Sequence, residues 1–206
     1  MSSVELHPGR LSRAQRRVGG GIAADVFSED GLFRLLFPNA ALRRHGVDRL
    51  HRGLLEAIPS TTTISRAVEE KALVGCSLWV PPGCWPYPSR FYRKSARQTR
   101  KLIATSGLDA DAAEPFLSEV ASAHRQEPHW YLQLLMVAKA HQGRGLGMQL
   151  LAPGLAAADR EGVLCVVETQ AERNLAFYGR FGFAVTATTT DPTGTATMWT
   201  MVRQPR

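Results

Sequence analysis

Trp130-Tyr131-Leu132-Gln133-Leu134-Leu135-Met136-Val137 is followed, after three intervening residues, by His141-Gln142-Gly143-Arg144-Gly145-Leu146-Gly147. The first stretch is apolar, short and bounded, which is the pattern of a buried strand. Beyond the second, Met148-Gln149-Leu150-Leu151, Leu155 and Ala158 recur like the apolar face of a helix. A glycine-rich turn between strand and helix leaves backbone N–H groups unpaired at the positive end of the helix dipole. Such a turn cradles anions, most often phosphate. The same glycines also suit a plain tight turn, so spacing has to narrow the reading.

A nucleotide-hydrolase phosphate loop needs Lys-Ser/Thr after its second glycine, and Leu146-Gly147 stands there instead. A dinucleotide fingerprint, G-x-G-x-x-G, counted from Gly143 and Gly145 meets Met148 in the third place. Glu168 ends the next apolar run, where a ribose-binding acid would sit, so the dinucleotide reading stays open in weakened form. The form Q-x-x-G-x-G fits in register, with Gln142, Gly145 and Gly147.

Further along stand Leu164-Cys165-Val166-Val167-Glu168-Thr169 and Glu172-Arg173-Asn174-Leu175-Ala176-Phe177-Tyr178-Gly179-Arg180-Phe181-Gly182-Phe183. With the Q-x-x-G-x-G turn and an N-x-x-F-Y-x-x-x-G-F segment, the chain resembles the GNAT superfamily of acyl-CoA-dependent N-acetyltransferases. Within it, Glu127-Pro128, the turn, Glu168-Thr169 and the Asn174–Phe183 block are most similar to the puromycin N-acetyltransferase group. The resemblance is specific over residues 127–203 and vague before them. Lys139 departs from it, standing where the family often has proline after the strand.

The β-α-β-α-β order from Trp130 to Thr190 implies at least one parallel crossover within an α/β fold. The resemblance implies more. It predicts a mixed, mostly antiparallel twisted sheet with helices on both faces and a splayed pair of central strands. One ends at Val137 and the other at Glu168, and acetyl-CoA enters between them as cosubstrate. Gln142, Gly143, Arg144, Gly145, Leu146 and Gly147 would then hold the pyrophosphate. Backbone groups of Leu135, Met136 and Val137 would pair with the pantetheine like an added strand, and the Val137 N–H would polarise the thioester carbonyl. Asn174 would serve as helix N-cap and cofactor contact, and Tyr178 would protonate the departing thiolate. The alternative for Tyr178 is a core aromatic beside Phe177 and Phe181.

Removing the amine's proton needs a base. The main strand offers Gln133, which cannot accept a proton, so Glu168 is the nearest acidic candidate. Its alternatives are a strand-end acid that orders a loop or pairs with Arg173, and bound water could act as the base instead. His124 and His129 flank the main strand and read as structural. The acceptor implied is a primary amine of a small molecule, with an aminonucleoside antibiotic suggested by the closest resemblance. Two readings without catalysis remain: a silent acetyl-CoA sensor or partner-binding module, and a nucleic-acid binder.

The chain has 206 residues, of which 44% are hydrophobic and 21% charged, which suits one globular domain. Residues 1–126 read as a variable acceptor side and 127–203 as the cofactor-binding core, in a monomer or homodimer. No apolar run approaches the ~20 residues that span a bilayer, and Met1–Pro8 lacks an apolar signal core, so a cytoplasmic protein is expected. Cys76, Cys84 and Cys165 show no metal-ligand spacing, so no metal is expected. The net charge of +7 is concentrated in two clusters. Arg90, Arg93, Lys94, Arg97, Arg100 and Lys101 lie near Trp85, Tyr87, Phe91 and Tyr92, and Arg10, Arg13, Arg16 and Arg17 form the second cluster. No nucleic-acid module accompanies them, which favours solvated faces.

In the front half, Val4–Leu11 reads as a strand and Ser12 caps a helix that Gly19-Gly20-Gly21 should bend or break. Pro38-Asn39 marks a boundary before a helix over Ala40–Ile58. Thr61–Val68 and Ala72–Val80 form a hairpin around Glu69-Glu70-Lys71, and Cys84–Pro88 reads as a rigid aromatic lid. Ala110–His124 reads as a helix, and Pro153-Gly154 should kink or break the helix after the turn. Phe183–Thr190 and Thr195–Val202 flank an Asp191-Pro192-Thr193-Gly194 turn.

Overall fold

The computed structural model describes residues 4–87, 100–102 and 104–206. Its elements run β1 (Glu5–Pro8), α1 (Arg13–Phe27), α2 (Gly31–Leu36), α3 (Ala40–Ala57), β2 (Thr63–Glu69), β3 (Ala72–Val80) and α4 (Ala110–Ala123). They continue through β4 (His129–Val137), a 3-10 turn (Lys139–His141), α5 (Leu146–Glu161), β5 (Leu164–Thr169), α6 (Arg173–Gly179), β6 (Ala184–Thr190) and β7 (Thr197–Arg203). The strands form a seven-stranded sheet in the order β1-β2-β3-β4-β5-β7-β6. Among the described residues only β4 and β5 pair in parallel, joined through α5, while the other neighbours are antiparallel.

Alternation along β4 assigns the two faces. Leu134 and Met136 pack with Ile22 and Ala23 of α1 and Leu55 of α3. Val137, together with Leu135, packs on the other face with Leu146 and Leu150 of α5.

The glycine tract does not break α1. Ser12 and Gln15 close a reciprocal capping box, with the Gln15 N–H donating to Ser12 Oγ (3.2 Å) and the Ser12 N–H to Gln15 Oε1 (3.0 Å). A Cβ on Gly20 would lie 2.7 Å from the Asp48 carbonyl oxygen, and one on Gly19 would lie 2.8 Å from Leu55 Cδ1. The glycines let α1 and α3 approach closely, and that packing offsets their low helix propensity.

The Pro153-Gly154 pair does not break α5 either. A Cβ on Gly154 would fall 2.1 Å from Trp79 Cε2, so the missing side chain seats the fully buried indole of β3 under the helix. Further on, Arg203 of β7 donates to both carboxylate oxygens of Asp159, at 2.7 and 2.8 Å, tying that helix to the sheet.

Two departures from regular pairing shape the centre of the sheet. Leu78 pairs with Leu134 and Trp79 with Leu132, which leaves Gln133 as an unpaired bulge on β4. The parallel pairing with β5 ends at the neighbouring residue, Leu132, opposite Val167. Beyond that point β4 and β5 diverge. Among the described residues, no helix is long and apolar enough to cross a membrane.

Candidate active site

The divergence exposes one edge of β4. The Ala138 N–H donates to Val74 O on the β3 side at 2.8 Å. Peptide groups alternate along a strand, so the N–H groups of Leu135 and Val137 face the gap. Met136 turns its backbone toward β3, so of the three residues expected to offer backbone groups it does not face the gap.

At the end of β4 the Gln142 amide donates to Val137 O at 2.9 Å and folds the turn back onto the strand. His141 Nε2 lies 2.9 Å from Glu69 Oε2, which pins the turn to the β2–β3 hairpin. Gly143 and Gly145 adopt φ of 74° and 78°, a left-handed conformation that glycine takes without a Cβ penalty. The first helical bond runs from the Gln149 N–H to Gly145 O. The N–H groups of Leu146, Gly147 and Met148 therefore precede it and have no helical acceptor. Arg144 is exposed and does not line the groove that this turn borders.

That groove encloses about 1360 Å³ between the turn, the β4 edge, the α1–α2 connection and α6. Asp25, Glu29 and Asp30 line it together with Arg34, Lys139, Arg173 and Arg180, so its wall is mixed in charge. Burial pushes the Asp30 carboxyl up, while Arg173, at 3.6 Å, acts in the opposite direction. Arg173 is thus engaged with Asp30, and Glu168 is held by other groups.

Asn174 is not the N-cap of α6, because Glu172 occupies that position. The Asn174 amide instead donates to Thr169 Oγ1 at 2.9 Å, bracing the end of β5. Tyr178 packs edge-on against Phe177 and Phe183, and burial pushes its phenol well above the usual range. It therefore keeps its hydrogen as a donor at neutral pH. Asn174 and Tyr178 line both this groove and a throat of about 140 Å³ that opens from it.

The throat leads on to a cavity of about 400 Å³. Phe33, His51, Gln133, Glu168 and Gln170 line both spaces. The rest of the cavity wall is apolar, with Leu32, Leu36, Leu50, Leu54, Leu117, Val120 and Met198. The Nδ1 of His51 lies 2.9 Å from Val47 O, and burial pushes its pKa down to about 4. The ring is neutral with Nδ1 as donor, so Nε2 is left as an acceptor.

Glu168 is the acid at the junction. Its Oε2 accepts from the Tyr131 hydroxyl at 2.9 Å, and its Oε1 lies 2.8 Å from His124 Nδ1. The contacts continue from His124 Nε2 to His129 Nε2 at 3.1 Å, and from His129 Nδ1 to Glu127 O at 2.6 Å. The two histidines are therefore not isolated structural residues. They lie behind Glu168 in one connected line. Burial, followed by the Glu168 charge, pushes the Tyr131 phenol well above its usual range.

Trp85 of the aromatic loop packs against His124 and Tyr131, with ring centroids 5.4 and 5.1 Å apart, while the Tyr87 hydroxyl donates to Gln133 Oε1. The segment expected as a lid thus forms a wall of the Glu168 cluster as far as it is described. Arg90, Arg93, Lys94 and Arg97 lie outside the described residues, and Arg100 and Lys101 are exposed. Among the described residues no group of acids, histidines and cysteines could hold a metal ion.

Sequence spacing carried no sign of His51 or of the His124–His129 line. A histidine five residues before a strand becomes informative only when the strand's start and the helix before it are brought together in space.

Residues 96–185 match the family model described as "Acetyltransferase (GNAT) domain". A Corynebacterium glutamicum protein described as "histone acetyltransferase HPA2 and related acetyltransferase" is 22% identical, with a TM-score of 0.67 over 100% of this chain and 98% of that one. A Desulfovibrio desulfuricans protein of the GNAT family is 17% identical, with a TM-score of 0.53 over 98% and 99%. A chain from the NatC complex bound to Gag peptide and CoA is 13% identical, with a TM-score of 0.51 over 98% and 99%. At these identities the likeness is one of fold, and the fold is that of the GNAT acetyltransferases.

Proposed function

We propose that this protein is an acetyl-CoA-dependent N-acetyltransferase acting on a primary amine of a small molecule. One observation carries the reading. Where β4 and β5 part at Leu132 and Val167, the groove beside the glycine turn runs through a throat into a largely apolar cavity. A long anionic cosubstrate and a separate acceptor can therefore meet at one point. The match of residues 96–185 to a GNAT acetyltransferase domain supports the chemistry.

On this reading the free N–H groups at the start of α5 bind the pyrophosphate. The open β4 edge at Leu135 and Val137 holds the pantetheine by strand-like hydrogen bonds. The Val137 N–H donates to the thioester carbonyl oxygen and favours the charge that develops there. Tyr178 gives its proton to the departing thiolate. Glu168, which opens onto the throat, accepts the acceptor's proton.

The cavity beyond the throat favours an amine with an uncharged, apolar or aromatic body, because its wall is aliphatic and aromatic apart from the polar ring at the throat. An aminonucleoside antibiotic has that character, and puromycin is the first acceptor to try.

The test is thermal unfolding with acetyl-CoA or NAD, followed by thiol release with puromycin, phenethylamine and spermidine. Acetyl-CoA at ~100 times its dissociation constant should add about 2.7 kcal/mol of stability. Gly145→Val should lose that gain while still folding, because φ of 78° is strained for a β-branched residue. Stabilisation by NAD alone would overturn the reading.

A further inference from the structure

We propose that Glu168, His124 and His129 form a proton relay that takes a proton from the acceptor's ammonium group and shares it along the line of carboxylate and imidazoles. The proposal rests on the N-acetyltransferase reading and assigns roles to two histidines which that reading leaves unused.

The hydrogen-bond geometry sets a proton count. Glu127 O can only accept, so His129 Nδ1 carries a hydrogen across the 2.6 Å contact. In a neutral His129 this leaves Nε2 as acceptor, and His124 Nε2 must supply the hydrogen across 3.1 Å. A neutral His124 then has Nδ1 as acceptor, facing Glu168 Oε1 at 2.8 Å. Two neutral imidazoles and a carboxylate leave one of the two His124 contacts without a hydrogen, this one or, in the other tautomer, the one to His129. The line is complete only when it holds one additional proton, shared between Glu168 and His124.

Glu168 and Tyr131 do not remove the need for it. The Tyr131 hydroxyl donates to Oε2 and leaves Oε1 to His124. Each carboxylate oxygen has a second lone pair, and the Glu168 side chain retains 11% exposure, lining both throat and cavity. An ammonium group in the throat can therefore reach it. The other end of the line is buried at the start of β4, where the His129 Nδ1 hydrogen is held by Glu127 O.

The groups facing the line from each element packed against it are few among the described residues. Trp85 lies against His124, Tyr87 is bonded to Gln133, and Tyr131 crosses the His124 ring edge-on at 4.9 Å. The Glu127 carboxylate favours a charged His129, but burial outweighs it and pushes that histidine's pKa down. Burial thus disfavours a charge on His129 itself.

The balance of the step is simple. The acceptor enters as R–NH3⁺ and gives one proton to Glu168, and the relay holds that proton until it leaves to solvent through the throat that Glu168 lines. The neutral nitrogen then forms a bond to the thioester carbon, and the C–S bond breaks with its electron pair leaving on sulfur. Tyr178 gives that sulfur a proton and regains one from the nitrogen. The products are the amide, the free thiol and one proton in solution.

Nitrogen-15 NMR of histidine-labelled protein, with no acetyl-CoA or amine present, tests the coupling. The nitrogen shifts and tautomer of His124 should change in Glu168→Gln, which removes the carboxylate facing Nδ1 at 2.8 Å. In steady-state kinetics, His129→Gln should lower kcat/KM about 10-fold or more below neutral pH and move the acidic limb of the profile. Added imidazole should restore the rate of His129→Ala, while the melting temperature of His129→Gln stays near that of the parent.

Identical His124 nitrogen shifts in the parent and in Glu168→Gln would overturn the relay, and so would an unmoved pH profile in His129→Gln. Failure of the parent itself to acetylate any amine would count against the acetyltransferase reading, and it is read separately from the NMR, which needs no acceptor.

Discussion

Leu132 and Val167 form the last parallel pair between the two central strands, and the next residue on each strand, Gln133 and Glu168, faces the space where they part. A bulge at one residue therefore places two polar side chains at the mouth of the throat. The bulge bends β4 away, and the end of β5, still paired with β7 on its other edge, carries the acid. Fold and site share this one irregularity.

The first prediction concerns the proton donor. Tyr178→Phe removes only a hydroxyl, so packing against Phe177 and Phe183 and acetyl-CoA affinity should persist. Turnover should fall roughly 10²–10⁴-fold, the usual worth of a positioned acid. The measurement pairs turnover on a working amine with calorimetric affinity for acetyl-CoA. Near-normal turnover would remove Tyr178 from the chemistry, and joint loss of affinity and melting temperature would make it a packing residue.

The second tests the seat of the helix over the sheet. Alanine ordinarily stabilises a helix by ~1 kcal/mol relative to glycine. At position 154 the added carbon would lie 2.1 Å from the Trp79 ring, so overpacking should cost about 1–3 kcal/mol. Gly154→Ala should then melt about 3–10 °C below the parent in a chain of this size. A higher melting temperature would mean that Trp79 moves aside freely.

The third concerns acid stability. Hydrogen bonds from Arg203 hold the Asp159 carboxyl below its ordinary range. A depressed folded pKa stabilises the protein above the unfolded value of about 4, and the gain is lost as pH falls through the folded value. The parent should therefore lose stability below about pH 4. Asp159→Asn should flatten that acid slope and cost about 1–3 kcal/mol at neutral pH, because it leaves the buried Arg203 without its charge partner. Scanning calorimetry across pH reads both effects, and an unchanged slope would assign the acid sensitivity to other carboxylates.

Much of the frame was legible beforehand because it rests on local rules. Ser12 and Asn39 cap the helices expected to follow them, and the hairpin turns through Glu70 and Lys71 at positive φ. The Gln142–Gly147 turn leads from strand to helix, and its glycines take the backbone angles that a side chain would resist. These features depend on backbone sterics and on hydrogen bonds between residues close in sequence.

Helix continuity at Gly19–Gly21 and at Pro153-Gly154 was not legible, because it depends on what lies opposite. Local propensity argues for a break. The approach of Asp48 and Leu55 in one place, and of Trp79 in the other, turns a missing side chain into an advantage.

The sequence by itself determined the strand-turn-helix with its free amides, the class of sheet, and the presence of Glu168 at a strand end. Tertiary structure alone decided what surrounds that acid. His124, His129 and Tyr131 come from a helix end and two places on β4, and Trp85 from a distant loop. Their chemistry arises from contacts of a few ångströms between segments tens of residues apart. No local pattern encodes such distances, because they are set by how the whole sheet and its helices pack.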